Sequence, residues 1–161
     1  MKLKLRHIPA FFVVTFVLSE LVVGESIMKW YSSFEAINLP AITGKNQTSE
    51  GSSTAILSLN DNAEITADIS EAAQLSCGAD NLVTEYKLVF DGDGSDATGG
   101  AGTNYETYDT FLTTAAQINY VLYDDEVEVT LHVRAGSYSS DIPDAGTYTA
   151  TQTLTVHWLG P

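Results

Sequence analysis

The sequence predicts an all-β fold, an antiparallel β-sandwich, on three observations. Apolar and polar residues alternate with a period of two along most of the chain after residue 54. The alternating runs are short and are separated by Gly, Asn, Asp and Ser at close spacing. Stretches with helical spacing are few. Roughly six to eight short strands of this kind are typical of an antiparallel sandwich.

The strands can be assigned in order along the chain. The first two flank the turn Asn60-Asp61-Asn62, which indicates a hairpin. A second turn follows at residues 78–81, and a long loop rich in Gly and Asp separates the fourth strand from the fifth. The predicted strands are residues 54–59, 63–69, 73–77, 83–90, 110–114, 117–123, 126–135 and 147–158.

The last strand has the clearest two-faced pattern. Five Thr residues, at alternate positions from 147 to 155, form the face predicted to meet water or a neighbouring chain. The opposite face carries Tyr148, Ala150, Gln152, Leu154, Val156 and Trp158. Gln152 is the one residue that breaks this apolar face, and we expect Leu154, Val156 and Trp158 to belong to the core.

The N-terminus has the layout of a secretory signal peptide. A basic segment, residues 1–7, precedes a short apolar run that ends at Val23, and small residues follow before Glu25. We predict cleavage after Gly24 and export of the rest of the chain. The alternative is an uncleaved anchor at a membrane surface, because a short apolar run can also be retained there.

Residues 25–53 form a leader with a pattern of its own. Ile27, Trp30, Phe34 and Ile37 recur at three- and four-residue spacing, which predicts a short amphipathic helix that ends before Pro40. The leader either packs on its own domain, residues 54–161, or reaches a partner as an arm. The sequence leaves these two alternatives open.

Composition excludes some classes of function. Residues 25–161 carry four basic and 20 acidic side chains, a net charge of −16. Such a surface repels nucleic acid and anionic lipid headgroups, so we expect neither nucleic-acid binding nor membrane binding after cleavage. The two remaining histidines, His132 and His157, have no catalytic partner at a telling spacing, and the sequence does not predict an enzyme.

Cysteine usage adds one constraint. Cys77 is the only cysteine, so no disulfide can form within the chain. It is either a buried thiol, which behaves as a small apolar side chain, or a partner for another molecule.

Four segments together resemble the spore coat protein U family, which includes the archaic chaperone-usher pilus subunits. They are Leu75-Ser76-Cys77, the strand of residues 86–91 that runs into Gly92, residues 118–124, and Gly146-Thr147-Tyr148 before the terminal strand. The resemblance covers residues 73–158. The chain departs from the family in lacking a first cysteine to pair with Cys77 and in having Ala150 where an acidic residue is usual.

The resemblance implies an immunoglobulin-like sandwich that lacks one strand. In that family the N-terminal extension of the next subunit fills the gap, so the chain would polymerise with copies of itself, helped by a secretion chaperone. Strand addition of this kind places donor side chains in pockets at alternate positions. The donor candidates are Ile27, Trp30, Phe34 and Ile37, or else Ala55, Leu57 and Leu59. The candidates for the acceptor groove are Leu154, Val156 and Trp158.

Two further sites are candidates. The loop carries Asp91, Asp93, Ser95 and Asp96, whose oxygens could converge on Ca²⁺, although the spacing is not that of an EF-hand and a solvated acidic loop is the alternative. Asn46-Gln47-Thr48 fits the acceptor pattern for N-glycosylation. No other cofactor is indicated.

The sequence thus predicts a secreted structural subunit of a cell-surface filament or coat. A head-to-tail contact through strand donation does not close, and therefore produces a fibre. The alternative is a monomeric secreted module that binds carbohydrate or Ca²⁺ through the Gly/Asp loop and Tyr105, Tyr108 and Tyr138, since aromatic rings offer flat faces to sugars.

Overall fold

A computed structural model describes residues 10–13, 28–90, 104–120, 126–137 and 144–159, the first of these ranges as backbone only. In these ranges the chain is all-β apart from one 3-10 turn, Glu71–Ala73. The described residues contain no helix with the length and apolar character needed to cross a bilayer. The strands are β1 (Ala10–Val13), β2 (Met28–Trp30), β3 (Asn38–Leu39), β4 (Thr48–Leu59), β5 (Ala63–Ala67), β6 (Ser76–Cys77), β7 (Asp80–Asn81), β8 (Val83–Phe90), β9 (Glu106–Thr107), β10 (Ala116–Ile118), β11 (Glu126–Gly136), β12 (Tyr148–Thr151) and β13 (Leu154–Trp158).

One layer is a five-stranded antiparallel sheet in the order β2-β4-β11-β8-β9. Its centre is β11, which pairs with β4 from Glu126↔Ser58 to Gly136↔Thr48. The alternation predicted for β11 is confirmed, since Val127, Val129, Leu131 and Val133 are fully buried. Their polar neighbours in sequence lie on the other, outer face of the sheet.

The other layer consists of two sheets, β3-β1-β12-β6-β7 and β10-β5-β13. They meet along the C-terminal strand of the chain, because β12 and β13 are separated by only Gln152 and Thr153. The turn predicted at Asn60-Asp61-Asn62 is present, but the hairpin is wrong: β4 and β5 do not pair, and the turn carries the chain from β4 in the first layer to β5 in this one. Antiparallel sheets with a shared apolar interior make a β-sandwich-like architecture.

The core lies between these layers and is built from the inward residues of both. Its largest fully buried side chains include Tyr86, Leu88 and Leu131 from the first layer and Tyr148 and Leu154 from the second. The Tyr86 ring packs 5.4 Å from that of Phe111, and its hydroxyl donates to the Ala73 carbonyl at 2.5 Å. Burial strongly raises the pKa of Tyr86, so this phenol stays protonated and keeps its hydrogen bond.

The helix predicted in the leader is wrong. Residues 28–50 contain no helix; they form β2, β3 and the beginning of β4, with a turn at residues 44–46 before β4. Phe34 and Ile37 are nevertheless buried, so the apolar spacing correctly marked residues that contact the core but assigned them the wrong backbone. Pro40 and the short length of the pattern prevented a stable helix, which needs more turns than this segment offers.

The strand predicted at residues 110–114 is also wrong. Thr110 and Thr113 donate hydrogen bonds to the preceding turn, and Phe111 N donates to Thr107 O at 2.9 Å. Leu112 has a φ of +52°, a value that ends any strand. The segment is a compact turn that buries Phe111 and Leu112, because local Thr hydroxyl bonds compete with ladder formation.

The most consequential pairing is that of β1. It lies between β3 and β12, parallel to β12 from Ala10↔Tyr148 to Val13↔Thr151 and antiparallel to β3. All other described ladders are antiparallel. Since β1 falls inside the predicted signal peptide, residues 1–24, the segment expected to be removed completes the sheet.

Candidate functional site: an acceptor groove beside the C-terminal strand

The candidate site is the position in the second layer that β1 occupies. We call it the acceptor groove, and its borders are β3, β12 and the outer edge of β13. On one side Ala10 and Phe11 pair with Leu39 and Asn38 of β3. On the other side the four residues of β1 pair with β12. A strand in this position therefore connects β3, which lies in the leader, with β12, which lies near the C-terminus.

The two edges of the β12–β13 run differ in what covers them. One edge pairs with β6 at Thr149↔Ser76 and with β5 from Leu154↔Ala67 to Trp158↔Ala63. The other edge pairs with β1 along β12 only. Along β13 this second edge has no strand partner among the residues described. An unpaired edge of this kind presents N–H and C=O groups that can template another strand.

The structure brings the predicted acceptor residues to this border. Leu154 is fully buried and Val156 is half-buried, but the core assignment of Trp158 is wrong: it is 38% exposed, because β13 leaves the core toward its end. The apolar face of the last strand is therefore covered at its beginning and increasingly open toward its end. Leu159 continues the open part at 46% exposure. The apolar surface and the unpaired edge thus coincide at β13.

Gly146 and Tyr148 lie at the beginning of β12, and Cys77 of the neighbouring strand β6 packs against Gly146. A Cβ on Gly146 would lie 2.5 Å from the Cys77 Sγ, so glycine is required for the half-buried thiol to pack against the chain here. Two residues later, the Tyr148 hydroxyl donates to the Asp144 carbonyl at 2.9 Å. Burial, with the charges of Asp80 and Asp144 and the nearby thiol, raises the pKa of Tyr148 to about 12.

Gln152 is a buried polar residue between β12 and β13. Its side chain is fully buried, and its Nε2 donates to the Asp68 carbonyl at 3.0 Å. Its Oε1 is buried and accepts no hydrogen bond. The sequence singled out Gln152 as the exception on an apolar face, but only the packing shows that half of its amide is unsatisfied.

The first set of donor candidates packs on its own domain in this structure. Phe34 and Ile37 are buried, and the half-buried Trp30 ring meets the Phe34 ring edge to face at 5.4 Å. Ile27 lies outside the described residues. Trp30 belongs to β2, which pairs with β4 through only three residues at the edge of the first layer.

The second set, Ala55, Leu57 and Leu59, lies in β4. All three side chains are buried, and β4 pairs with β11 on one side from Thr48 to Ser58. These residues belong to the core and lie on the strand that pairs with β2. Donating them to another subunit would require the first layer to open between β4 and β11. Donating the leader would require β2 to leave the edge of that layer and Phe34 and Ile37 to leave the core.

A cluster of charged residues on the outer face of the first layer was not predicted. Arg134 of β11 forms an ion pair with Glu85 of β8, with Nε and Oε2 2.8 Å apart, and a longer one of 3.8 Å with Glu50 of β4. The Tyr105 ring lies over the Arg134 guanidinium at 4.1 Å and near Lys87 Nζ at 5.0 Å. The register of three strands creates this cluster, so the sequence gives little signal for it.

This cluster limits the alternative role assigned to the tyrosines. One face of the half-buried Tyr105 ring lies against the Arg134 guanidinium. Tyr108 is half-buried against the core, and Tyr138 lies outside the described residues. His132, on the same face, has its pKa lowered by burial and then by Lys87.

The remaining candidates stay as predictions. Asp91, Asp93, Ser95 and Asp96 lie outside the described residues, and within the described ones no group of three or more His, Cys, Asp or Glu could hold a metal ion. Asn46 is exposed on a turn with a φ of +54°, which asparagine tolerates, and its backbone N–H donates to Ser137 O at 2.8 Å. Its side chain is thus accessible to modification.

Comparison with other proteins leaves the geometry as the main guide to function. The chain was compared with models of protein families and with curated protein sequences, and neither comparison produced a match.

Proposed function

We propose that the protein is a secreted structural subunit that assembles into a surface filament or coat through the acceptor groove. The observation that supports the proposal is the part of the chain from which β1 comes. This strand fills the groove in cis, yet it comes from residues 10–13, inside the predicted signal peptide. Cleavage after Gly24 would leave the groove between β3 and β12 empty.

An empty groove would be costly in free energy. The backbone groups of β12 that face β1 would lose their partners, and the apolar residues beneath them would be exposed to water. A buried backbone group without a partner costs roughly 1–3 kcal/mol. A strand from another molecule can replace both the hydrogen bonds and the apolar cover. The mature chain therefore has a physical reason to associate.

The leader of a second copy is the proposed donor. The part of the leader before β3 carries Trp30 and Phe34. It pairs with β4 through the three residues of β2, and the Tyr31 and Glu35 N–H groups donate to Ile56 O and Ser53 Oγ at 2.8 Å. Its exposed end includes Tyr31, which is 67% exposed. Before assembly, a secretion chaperone would protect the groove by supplying a strand of its own. The resulting head-to-tail contact extends without closing.

The strong negative charge is compatible with such an assembly outside the cell. A net charge of −16 on the mature chain keeps the subunits soluble and apart at low ionic strength. Salt shortens the range of this repulsion to about 8 Å at 0.15 M. Strand addition is a contact of shorter range, so assembly should increase as salt rises to physiological concentration.

The proposal can be tested by negative-stain microscopy and sedimentation of residues 25–161. We expect fibres from this chain, and none from the full chain, whose groove β1 occupies. A chain that begins at residue 33 lacks β2 but keeps Phe34 and Ile37, and we expect it to be monomeric. Replacing Trp30 with Ser should weaken assembly, whereas Tyr31→Ser serves as the matched control at an exposed neighbouring position.

A stable, monodisperse monomer of residues 25–161 would contradict the proposal. It would favour the alternative of a monomeric binding module, which the same sample can address. A melting temperature that rises with millimolar Ca²⁺ relative to chelator would then indicate a calcium site, because a ligand that binds the native state stabilises it.

A further inference from the structure

The outer face of the first layer differs in charge from the other described parts of the molecule. We use this name for the side of β2, β4, β8 and β11 that points away from the core. The described part of residues 25–161 carries four basic and 13 acidic side chains. Three of these basic residues and four of these acidic residues lie on the outer face. They are Lys29, Lys87 and Arg134, and Glu50, Glu85, Glu126 and Glu128.

This distribution makes the outer face nearly neutral. Its net charge is −1, whereas the other described residues carry nine acidic side chains and one basic side chain. Like charges brought together repel each other, so two copies of a strongly acidic chain approach most easily where each is close to neutral. The outer face is therefore the surface on which a second copy meets the least repulsion among the described residues.

The charges of the outer face are separated along β11. Glu126 and Glu128 lie near the beginning of this strand, whereas Arg134 and, on β8, Lys87 lie near its end. Arg134 is paired with Glu85 at 2.8 Å. Lys87, Glu126 and Glu128 form no ion pair with any described residue. The face thus has an acidic end and a basic end, and both have charges left to pair.

Between these two ends the outer face is uncharged and has short side chains. Thr130 is the middle residue of this part of β11, and its hydroxyl lies 2.8 Å from that of Thr54 on β4. Val89 of β8 lies opposite Thr130 on the other side. Sheets with such side chains pack face to face about 10 Å apart. Because the two hydroxyls are hydrogen-bonded within their own sheet, covering them with a second sheet leaves no polar group without a partner.

We propose that a second copy of the chain docks face to face on the outer face, about a two-fold axis near Thr130. A two-fold axis brings residue i of one copy to residue j of the other, and j to i. Glu128 and His132 are both two residues from Thr130, and His132 lies opposite Lys87 on β8. When the strands of the two copies run antiparallel, Glu128 of one copy therefore lies over the row of His132 and Lys87 of the second copy. The angle of roughly 30° between packed sheets keeps these rows in contact.

The size of the outer face predicts a weak contact. The nine residues from Glu126 to Arg134 span about 27 Å, and three strands with their side chains are about 15 Å wide. Two such faces bury roughly 800 Å² in total, which is less than the about 1,200 Å² of stable complexes. We therefore expect a dimer with a Kd on the order of 0.1 mM, and monomers in dilute solution.

The contact is compatible with the acceptor groove, because the groove lies in the second layer and the outer face belongs to the first. The dimer itself goes beyond the proposed function and does not require it. Its consequence for an assembly does rest on the proposed function. A filament would present the outer face at every subunit, and many weak contacts in a row would bind two filaments side by side.

Charge reversal in the full chain tests the contact. Sedimentation equilibrium at about 0.15 M salt, where long-range repulsion is screened, measures the Kd of the dimer. Lys87→Glu and Glu128→Lys each replace two attractive contacts by two repulsive ones, so each should raise this Kd about tenfold. Net charge alone predicts the opposite for Glu128→Lys. This substitution removes one negative charge and adds one positive charge, so it changes the net charge of the chain from −14 to −12.

Combining the two reversals identifies the contact as a pair. The double variant Lys87→Glu/Glu128→Lys restores both attractive contacts, and we expect its Kd to lie within about threefold of the wild-type value. An equimolar mixture of the two single variants should form a heterodimer of similar strength, because each variant then meets the opposite charge. Lys45→Glu and Glu71→Lys change the net charge by the same amounts at exposed positions outside this face. These matched controls should dimerise like the wild type.

Three results would each overturn the inference: a wild-type chain that stays monomeric at about 1 mM, tenfold above the expected Kd, tighter association of Glu128→Lys, or a double variant that does not recover the dimer. In the full chain β1 fills the acceptor groove, so this measurement does not depend on polymerisation. If residues 25–161 form no fibres while the reversals behave as expected, the proposed function fails and the dimer contact stands. If fibres form but the reversals have no effect on dimerisation, the contact fails and the proposed function stands.

Discussion

Individual residues at the groove entry have roles set by their contacts. Gly146 allows the Cys77 thiol to approach the backbone, which explains why glycine precedes the last strand. Tyr148 then enters the core while its hydroxyl remains bonded to the Asp144 carbonyl. The single cysteine is half-buried and packs against Gly146.

Tyr148 should make stability depend on pH in the alkaline range. Its pKa is raised from 10.0 to about 12 in the folded chain, because burial and neighbouring acidic groups disfavour the phenolate. The folded state therefore holds the proton more tightly than the unfolded state. The resulting stabilisation is complete below pH 10 and is lost as the pH rises toward 12.

Urea denaturation at several pH values can measure this effect. Between pH 9 and pH 12 the wild-type chain should lose more unfolding free energy than Tyr148→Phe, which has no phenol to ionise. Tyr31→Phe, at an exposed position, is the control and should follow the wild type. Identical pH profiles for wild type and Tyr148→Phe would show that this phenol does not contribute to the loss of unfolding free energy at alkaline pH.

At the scale of elements, β3 and the residue before it pack closely on β4 because position 51 is a glycine. A Cβ on Gly51 would lie 2.7 Å from Ile37 Cγ2 and 2.9 Å from Leu39 Cδ2. Such distances are too short for carbon atoms, so these two side chains can lie over β4 only because position 51 has none. Ser49 adds a hydrogen bond from its Oγ to the Pro40 carbonyl at 2.7 Å. These contacts place β3 at the border of the acceptor groove.

Gly51→Ala should therefore destabilise the protein. The added methyl group must displace Ile37 and Leu39 from a packed core, which typically costs 1–3 kcal/mol of unfolding free energy, here about 2 kcal/mol. Gly44→Ala is the matched control, since its Cβ would meet only the Gln47 side chain at 3.4 Å. Urea denaturation measures both variants. Equal stabilities would mean that β3 adjusts without cost.

At the scale of the whole molecule, the sandwich is complete only when the acceptor groove is filled. The first layer has five strands and a continuous ladder around β11. The second layer depends on β1, because without it β3 loses its only strand partner in the described residues. The two layers should therefore differ in local stability once residues 1–24 are removed.

Amide hydrogen exchange should reveal this difference. In residues 25–161 as a dissociated subunit, the β12 amides that face the groove should exchange at least tenfold faster than in the full chain. Those of β11 should remain protected, and they are the internal control. Protection of β12 should return in the assembled fibre. Unchanged protection of β12 after removal of residues 1–24 would mean that β1 does not cover it in solution.

Prediction from the sequence was most accurate where one face of a strand is buried. The period of two in β11 and in the last strand identified Val129, Leu131, Tyr148 and Leu154 as inward residues, and all four are fully buried. It was wrong for residues 110–114, where Thr hydroxyls form local bonds instead of a ladder. It was also wrong for the leader, where buried apolar residues in an extended chain imitate helical spacing.

The amino-acid sequence alone determined the all-β class, the faces of the main strands and the strongly acidic character of residues 25–161. These properties depend on period and composition, which are local. Only the tertiary structure decided which strands are neighbours, and so where the groove lies, that β1 fills it and that Gln152 has an unsatisfied oxygen. Strand neighbours far apart in sequence are chosen by packing and hydrogen-bond pairing in three dimensions, and no short pattern of residues encodes that choice.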